Sequence, residues 1–221
     1  MTTLLLVDDN QTLTDVYAEG LTREGFEVIT ADSGLECMET LKTLQPDIIL
    51  LDIMMPDMDG WETLHKIRDI PQNHETPVLM VTAKALLAED LATHGDLMDG
   101  FLLKPFSLAE LAGRIRMFEH EREELIACVQ KALAKGADSG TVRECTELAS
   151  RVTVQKKLTD RIVIQYETAY LDRDDGQEIP EVVRNLQVTC KEKIKRLNEL
   201  AGLLGLSEEP CIQQILESVS V

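Results

Sequence analysis

Short apolar runs alternate with longer stretches of helical spacing through the first half of the chain. The runs are TLLLV at 3–7, FEVIT at 26–30, DIILL at 47–51, PVLMV at 77–81 and GFLLK at 100–104. Runs this short and this apolar are what strands covered on both faces require. Between them the spacing predicts helices from Leu13 to Arg23, closed by Gly25, then over 33–44, 61–70 and 85–95. A further helix opens at Ser107, an N-cap with Glu110 three residues on. Strands and helices in this alternation predict right-handed crossovers and a parallel sheet with helices on both sides, a doubly wound α/β fold.

Beyond about residue 119 only helical periodicity remains. Leu108, Leu111, Ile115, Phe118, Leu125, Val129 and Leu133 keep one stripe with no breaker after Phe118, which predicts a continuous helix as far as KGADSG at 135–140. Val142, Cys145, Leu148, Val152, Leu158, Ile162 and Ala169 carry a second stripe, broken at Gly176 and Pro180. Val183, Leu186, Cys190, Ile194, Leu197, Ala201 and Leu204 carry a third, ended near Gly205, and a short helix is expected from Ser207 to Val219. The expected division is an α/β domain over 1–119 and a helical region over 120–221. Amphipathic helices with short connections close into a bundle, within one chain or across a homodimer.

In parallel sheets ligands bind beyond the carboxyl ends of the strands. Those ends carry Asp8-Asp9, Asp52, Thr82 and Lys104-Pro105, so an acid pair, a lone acid, a hydroxyl and an amine converge on one rim. Read singly, each has a plain structural use. Asp8-Asp9 before a helix is N-cap chemistry, Asp52 is a strand-terminal turn residue, Thr82 is a cap and Lys104 is a solvated cation. Asp57, Asp59 and Gly60 in PDMDG form a turn, with Gly60 supplying a backbone shape. Only the joint placement of the first group points to chemistry.

LLLVDDN, PDIILLDIMMPDMDG, PVLMVTA and GFLLKPFS, in that order and spacing, resemble the receiver domain of two-component response regulators over about residues 1–119. The resemblance implies a flavodoxin-like five-stranded fold in which Asp52 accepts a phosphoryl group from a sensor histidine kinase, a phosphotransfer protein or a small phosphodonor. It implies Mg2+ held by Asp9 and Asp52 directly, by Asp8 through water and by the backbone carbonyl of Met54. Lys104 pairs with a phosphoryl oxygen, and Thr82 and the amide of Ala83 donate to others. The resemblance implies a cis bond before Pro105. The resemblance also makes Phe101 the aromatic two-state residue that answers Thr82, without the hydroxyl of a Tyr, and residues 84–118 the face expected to change most. Read without the resemblance, Phe101 is a core residue. Such a chain is a phosphoacceptor rather than an enzyme acting on other substrates.

The formal charge of -18 is uneven: residues 1–119 hold 22 acidic and 8 basic side chains, and residues 120–221 hold 18 and 14. This balance suits a divalent cation in the first half and repels nucleic acid and anionic membranes. No run approaches a membrane span and MTTLLLVDDN has no basic leader, so a cytoplasmic protein is expected. Cys37, Cys128, Cys145, Cys190 and Cys211 are odd in number and without a C-x-x-C pair, which predicts reduced thiols rather than disulfides or zinc. His65, His74 and His94 have no metal spacing, and His120-Glu121 lacks the surroundings of a phosphorylated histidine motif. The basic segment KEKIKR at 191–196 alternates with core positions and reads as a solvated face. The expected output is therefore protein binding or dimerisation through the helices. A divergent DNA-binding element and a phosphatase or phosphotransfer module acting on another receiver are the alternatives.

Overall fold

The computed structural model describes residues 1–74, 76–83, 86–134, 136–171, 180–210 and 212–213. They form β1 (Thr3–Val7), α1 (Gln11–Arg23), β2 (Glu27–Ala31), α2 (Gly34–Thr40), β3 (Ile48–Leu51), α3 (Gly60–Asp69), β4 (Val78–Thr82), α4 (Ala88–His94), β5 (Gly100–Leu103), α5 (Leu108–Ala134), α6 (Ser139–Leu171) and α7 (Glu181–Leu203). The strands pair in parallel in the order β2-β1-β3-β4-β5. This is the flavodoxin-like order that the receiver resemblance implies.

The three central strands explain their own composition. Leu4 to Val7, Ile48 to Leu51 and Val78 to Val81 are all buried, because helices cover both faces of a parallel sheet. The edge strands β2 and β5 are only half-buried along most of their length. Caps set the helix starts: Asn10 accepts from the Leu13 amide, Ser33 from Glu36 and Asp59 from Glu62. Ser107 and Glu110 close the expected capping box ahead of α5. Gly25 ends the turn after α1 at a φ of 97°, which a side chain disfavours.

By packing, the chain forms two compact units: Met1–Ala85 with Leu97–Arg116, and Leu86–Asp96 with Met117–Val221. The second unit thus takes α4 from between β4 and β5. Its core joins Leu125, Cys128 and Ala132 of α5 to Val142, Cys145, Ala149 and Val152 of α6 and Leu197, Leu200, Ala201 and Leu204 of α7. α5 is unbroken from Leu108 to Ala134. The spacing put Leu133 on its inner face, but Leu133 is exposed and Cys128 and Ala132 carry the seam instead. Ion pairs edge this core, Lys131 to Glu209 at 2.7 Å and Arg196 to Glu144 at 2.8 Å. Pro180 immediately precedes α7. The break expected at Gly176 and most of the helix expected over 207–219 lie outside the described residues.

One expectation from the cysteines is overturned. Cys37, Cys145 and Cys190 are free and buried, but Cys128 is disulfide-bonded. Spacing failed as a guide because it registers neighbours along the chain, whereas a disulfide needs two sulfurs adjacent in space. Cys211 lies outside the described residues. No helix among them is long and apolar enough to cross a membrane.

Candidate functional site

The strand order reverses between β1 and β3, and there the two acids meet. Val7 and Leu51 are register partners, so Asp8 and Asp52 leave the sheet side by side, with the Asp52 amide donating to the Val7 carbonyl at 2.9 Å. On the other side of β3, Thr82 closes β4 in register with Leu103, and the Lys104 amide donates to the Thr82 carbonyl at 2.7 Å. Sheet register alone therefore carries four of the residues picked out at the strand ends to one rim. The Lys104–Pro105 bond is cis.

Asp8 and Asp52 are buried, whereas Asp9 is exposed, and one carboxylate oxygen from each lies within 4.8 Å of the others. Lys104 Nζ sits 2.5 Å from Asp8 Oδ2 and 3.6 Å from Asp52 Oδ1. Burial pushes the Asp52 carboxyl above the usual carboxylate range. Lys104 opposes that shift, Asp8 adds to it, and hydrogen bonds from the Thr82 hydroxyl and the Ile53 amide oppose it. Asp52 Oδ1 has no hydrogen-bond partner among the described residues. A buried oxygen in that condition, beside two more carboxylates, is costly unless a cation completes it. Hard oxygen donors open on one side suit a divalent ion such as Mg2+, which keeps part of its water shell.

The capping alternative for the acid pair resolves onto another residue. Asn10 caps α1, while Asp8 Oδ1 takes the Asn10 amide at 2.9 Å and keeps Oδ2 for Lys104. Asp59 does cap α3. Gly60 serves by close approach rather than by an unusual φ, since a Cβ there would lie 2.2 Å from the Asp52 carbonyl oxygen and 2.6 Å from Ile53 Cα. The positive φ in this turn, 63°, belongs to Asp57. Met54, two residues past Asp52, has its side chain exposed. Phe101 lies half-buried on β5 opposite Met80. His120 is exposed, 3.6 Å from Glu124.

Three aromatic neighbours escaped the sequence. Tyr17 of α1 stacks on Phe106 with ring centroids 5.3 Å apart. Burial raises the Tyr17 phenol above its ordinary pKa, with Lys104 opposing and Asp8 adding. Trp61 lines a cleft of about 510 Å3 with Asp9, Met54, Met55, Pro56 and Asp59. Phe106 next to Lys104-Pro105 was the one available signal, because Tyr17 and Trp61 look like ordinary helix positions.

Residues 4–116 match the family described as the response regulator receiver domain. The transcriptional regulatory protein CusR of Escherichia coli is 32 % identical over 154 residues, 70 % of this chain and 67 % of that protein. The probable transcriptional regulatory protein TcrX of Mycobacterium tuberculosis is 36 % identical over 114 residues, 52 % of this chain and 48 % of its own length. TcrX and TrcR of the same organism are covered for about half their length, 48 % and 56 %. Among solved structures, the chemotaxis protein CheY4 of Vibrio cholerae aligns over 53 % of this chain and 98 % of its own, with 30 % identity and a TM-score of 0.50. With the sheet order, the rim of acids, hydroxyl and amine, and a matched region that takes in every strand, this chain belongs to the response regulator receiver family of two-component systems.

Proposed function

We propose that Asp52 is the phosphoacceptor for a sensor histidine kinase or phosphotransfer protein. A carboxylate oxygen of Asp52 forms the new bond to phosphorus while the bond from phosphorus to the donor imidazole nitrogen breaks, and the ring leaves with that electron pair. The observation that carries this reading is the placement of Asp8, Asp9, Asp52, Thr82 and Lys104 on one rim, with Asp52 Oδ1 buried and without a hydrogen-bond partner among the described residues.

Positioning and charge neutralisation do most of the work in phosphoryl transfer. Lys104, held between Asp8 and Asp52, turns its ammonium toward a phosphoryl oxygen. Thr82, now bonded to Asp52, donates its hydroxyl to a second phosphoryl oxygen. Asp9 and Asp52 would hold Mg2+ directly, Asp8 through water, with the Met54 carbonyl completing the protein share. Held there, Mg2+ would supply charge neutralisation for the transferred group. The chain thus catalyses only its own phosphorylation and dephosphorylation. With acetyl phosphate and Mg2+, intact-protein mass spectrometry should show one added phosphoryl group on the wild type and none on Asp52→Ala. Label on the variant would remove Asp52 from the role.

For the output we favour protein binding or dimerisation through the second unit. Within it Lys193 and Arg196 of the basic segment are engaged by Asp96 and Glu144. A second reading, transcription regulation, is favoured by the names of CusR and TcrX. Salt-dependent binding of duplex DNA is its test.

A further inference from the structure

Lys104 acts from the end of a flexible four-carbon stem, so its ammonium is only as well placed as the turn that carries it. That turn is anchored at both ends. At one, the Lys104 amide donates to the Thr82 carbonyl at 2.7 Å, where β4 and β5 leave the sheet together. At the other, Phe106 stacks on Tyr17 of α1, with ring centroids 5.3 Å apart and planes inclined by 25°. Pro105 between the two anchors is exposed. Aromatic pairs at this separation attract beyond the area they bury.

The stack is the first contact of a seam between α1 and the start of α5. Tyr17 and Gly20 of α1 and its C-cap Glu24 follow at three- and four-residue steps, on one face of the helix. They meet Phe106, Leu108 and Arg116 in that order. Leu108 lies over the bare backbone of Gly20, where a Cβ would come within 2.4 Å of Leu108 Cδ2. Arg116 donates to the Glu24 carbonyl at 3.0 Å and to its carboxylate at 2.6 Å. The N-cap of the same helix is Asn10, whose amide donates to Asp8 at 2.9 Å. One helix thus ties the turn that carries Lys104 to the acid that Lys104 pairs with. Tyr17 is the tie nearest the pair: burial raises its phenol, and Lys104 and Asp8 both act on it, with opposite signs.

We propose that Tyr17 is a positioning residue for phosphoryl transfer, its ring holding Phe106 so that the Lys104 ammonium stays between Asp8 and Asp52. The inference rests on the phosphoacceptor reading of Asp52. The ring acts through Lys104, and the phenol hydroxyl has no part in it. Releasing Phe106 loosens one anchor of the turn and lets the ammonium drift from the place where a phosphoryl oxygen must meet it. A misplacement of about 1 Å costs a rate on the order of 100-fold. The Asp8 pair and the Thr82 carbonyl still hold Lys104 when the stack is gone, so the loss is smaller than that.

The test follows the rate at which the full chain takes label from acetyl phosphate at saturating Mg2+, by intact-protein mass spectrometry. Tyr17→Leu keeps an apolar group but loses the stack, and it should slow labelling about tenfold. Phe106→Leu should do the same from the other side, and the two together should cost little more than either alone. Tyr17→Phe should restore most of the rate, because its ring still stacks. Mg2+ affinity, read from the single tryptophan Trp61 in the cleft beside Asp9, should hold in every variant, since Asp8, Asp9 and Asp52 are untouched. The deciding comparison is in Lys104→Ala, where labelling should already be slow and Tyr17→Leu should slow it no further. A ring that only stabilised the fold would cost the same in both backgrounds. Equal losses with and without Lys104, a Tyr17→Leu as fast as the wild type, or a Tyr17→Phe as slow as Tyr17→Leu overturns the positioning role. A wild type that takes no label, or an Asp52→Ala that does, overturns the phosphoacceptor reading and the positioning role with it.

Discussion

At the scale of single residues, the candidate site opposes the stability of its own fold. Three carboxylates crowd together, two of them buried, and Lys104 supplies a cation between Asp8 and Asp52. Like charges at this distance repel strongly when water is excluded. Asp52→Asn should therefore raise the melting temperature measured without Mg2+, by about 2–4 °C for each kcal/mol of repulsion and desolvation relieved. Calorimetry with and without Mg2+ provides the check: the ion should stabilise the wild type by mass action and lose most of that effect on the variant. A variant less stable than the wild type would mean that Asp52 is held for structure. The acids, Thr82 and Lys104 were legible in the sequence because strand-end position is readable from apolar runs, and register does the rest. Tyr17, Phe106 and Trp61 were not, since what brings a helix residue against Lys104 or Asp9 is packing, which leaves no period in the chain.

At the scale of elements, the end of the sheet away from the rim is fixed by one buried cation. Arg68 donates to the carbonyls of His74, Thr76 and Leu97 and to Asp99, and Asp99 also accepts the Val78 amide at 2.9 Å. One side chain thus ties the end of α3 to the starts of β4 and β5. Removing one partner of a buried pair strands the other charge, so Arg68→Met should cost about 3–5 kcal/mol in urea denaturation. A cost below about 1 kcal/mol would mean that water repairs the gap. The strands were legible as elements, with boundaries displaced by a residue or two, whereas α4 proved shorter than its pattern, Ala88–His94 against 85–95. Its assignment to the second unit was not legible at all, because an amphipathic stripe records that a face is buried and not what buries it. The cysteines carry the same lesson. Burial pushes the Cys37 thiol up to about 12 and, with Glu144, the Cys145 thiol up to about 11. Both should resist alkylation at pH 8 until the fold is opened, since the thiolate is the reactive form. After denaturation without reductant, peptide mapping should find Cys37, Cys145 and Cys190 alkylated and Cys128 not; an alkylated Cys128 would remove the disulfide.

At the scale of the whole molecule, charge decides between the two outputs. The chain carries -18 overall, and even residues 120–221 hold more acids than bases, 18 against 14. Binding to duplex DNA requires several cations free to replace condensed counterions, and affinity then falls steeply with salt. In the second unit Lys131, Lys193 and Arg196 face Glu209, Asp96 and Glu144, so turning them toward phosphates would first break pairs that hold helices together. Lys191 and Lys195 of the basic segment are exposed, and they stand in a surrounding negative field. The full chain should therefore show no saturable binding to a labelled duplex below about 100 µM, the weak limit of ordinary non-specific affinity, when followed by fluorescence anisotropy at low salt. The same measurement with beryllium fluoride and Mg2+ present should give the same answer, because neither adds a cation to the second unit. Binding that appears only with the mimic, and weakens with salt at a slope of several phosphate contacts, would instead place the output on DNA.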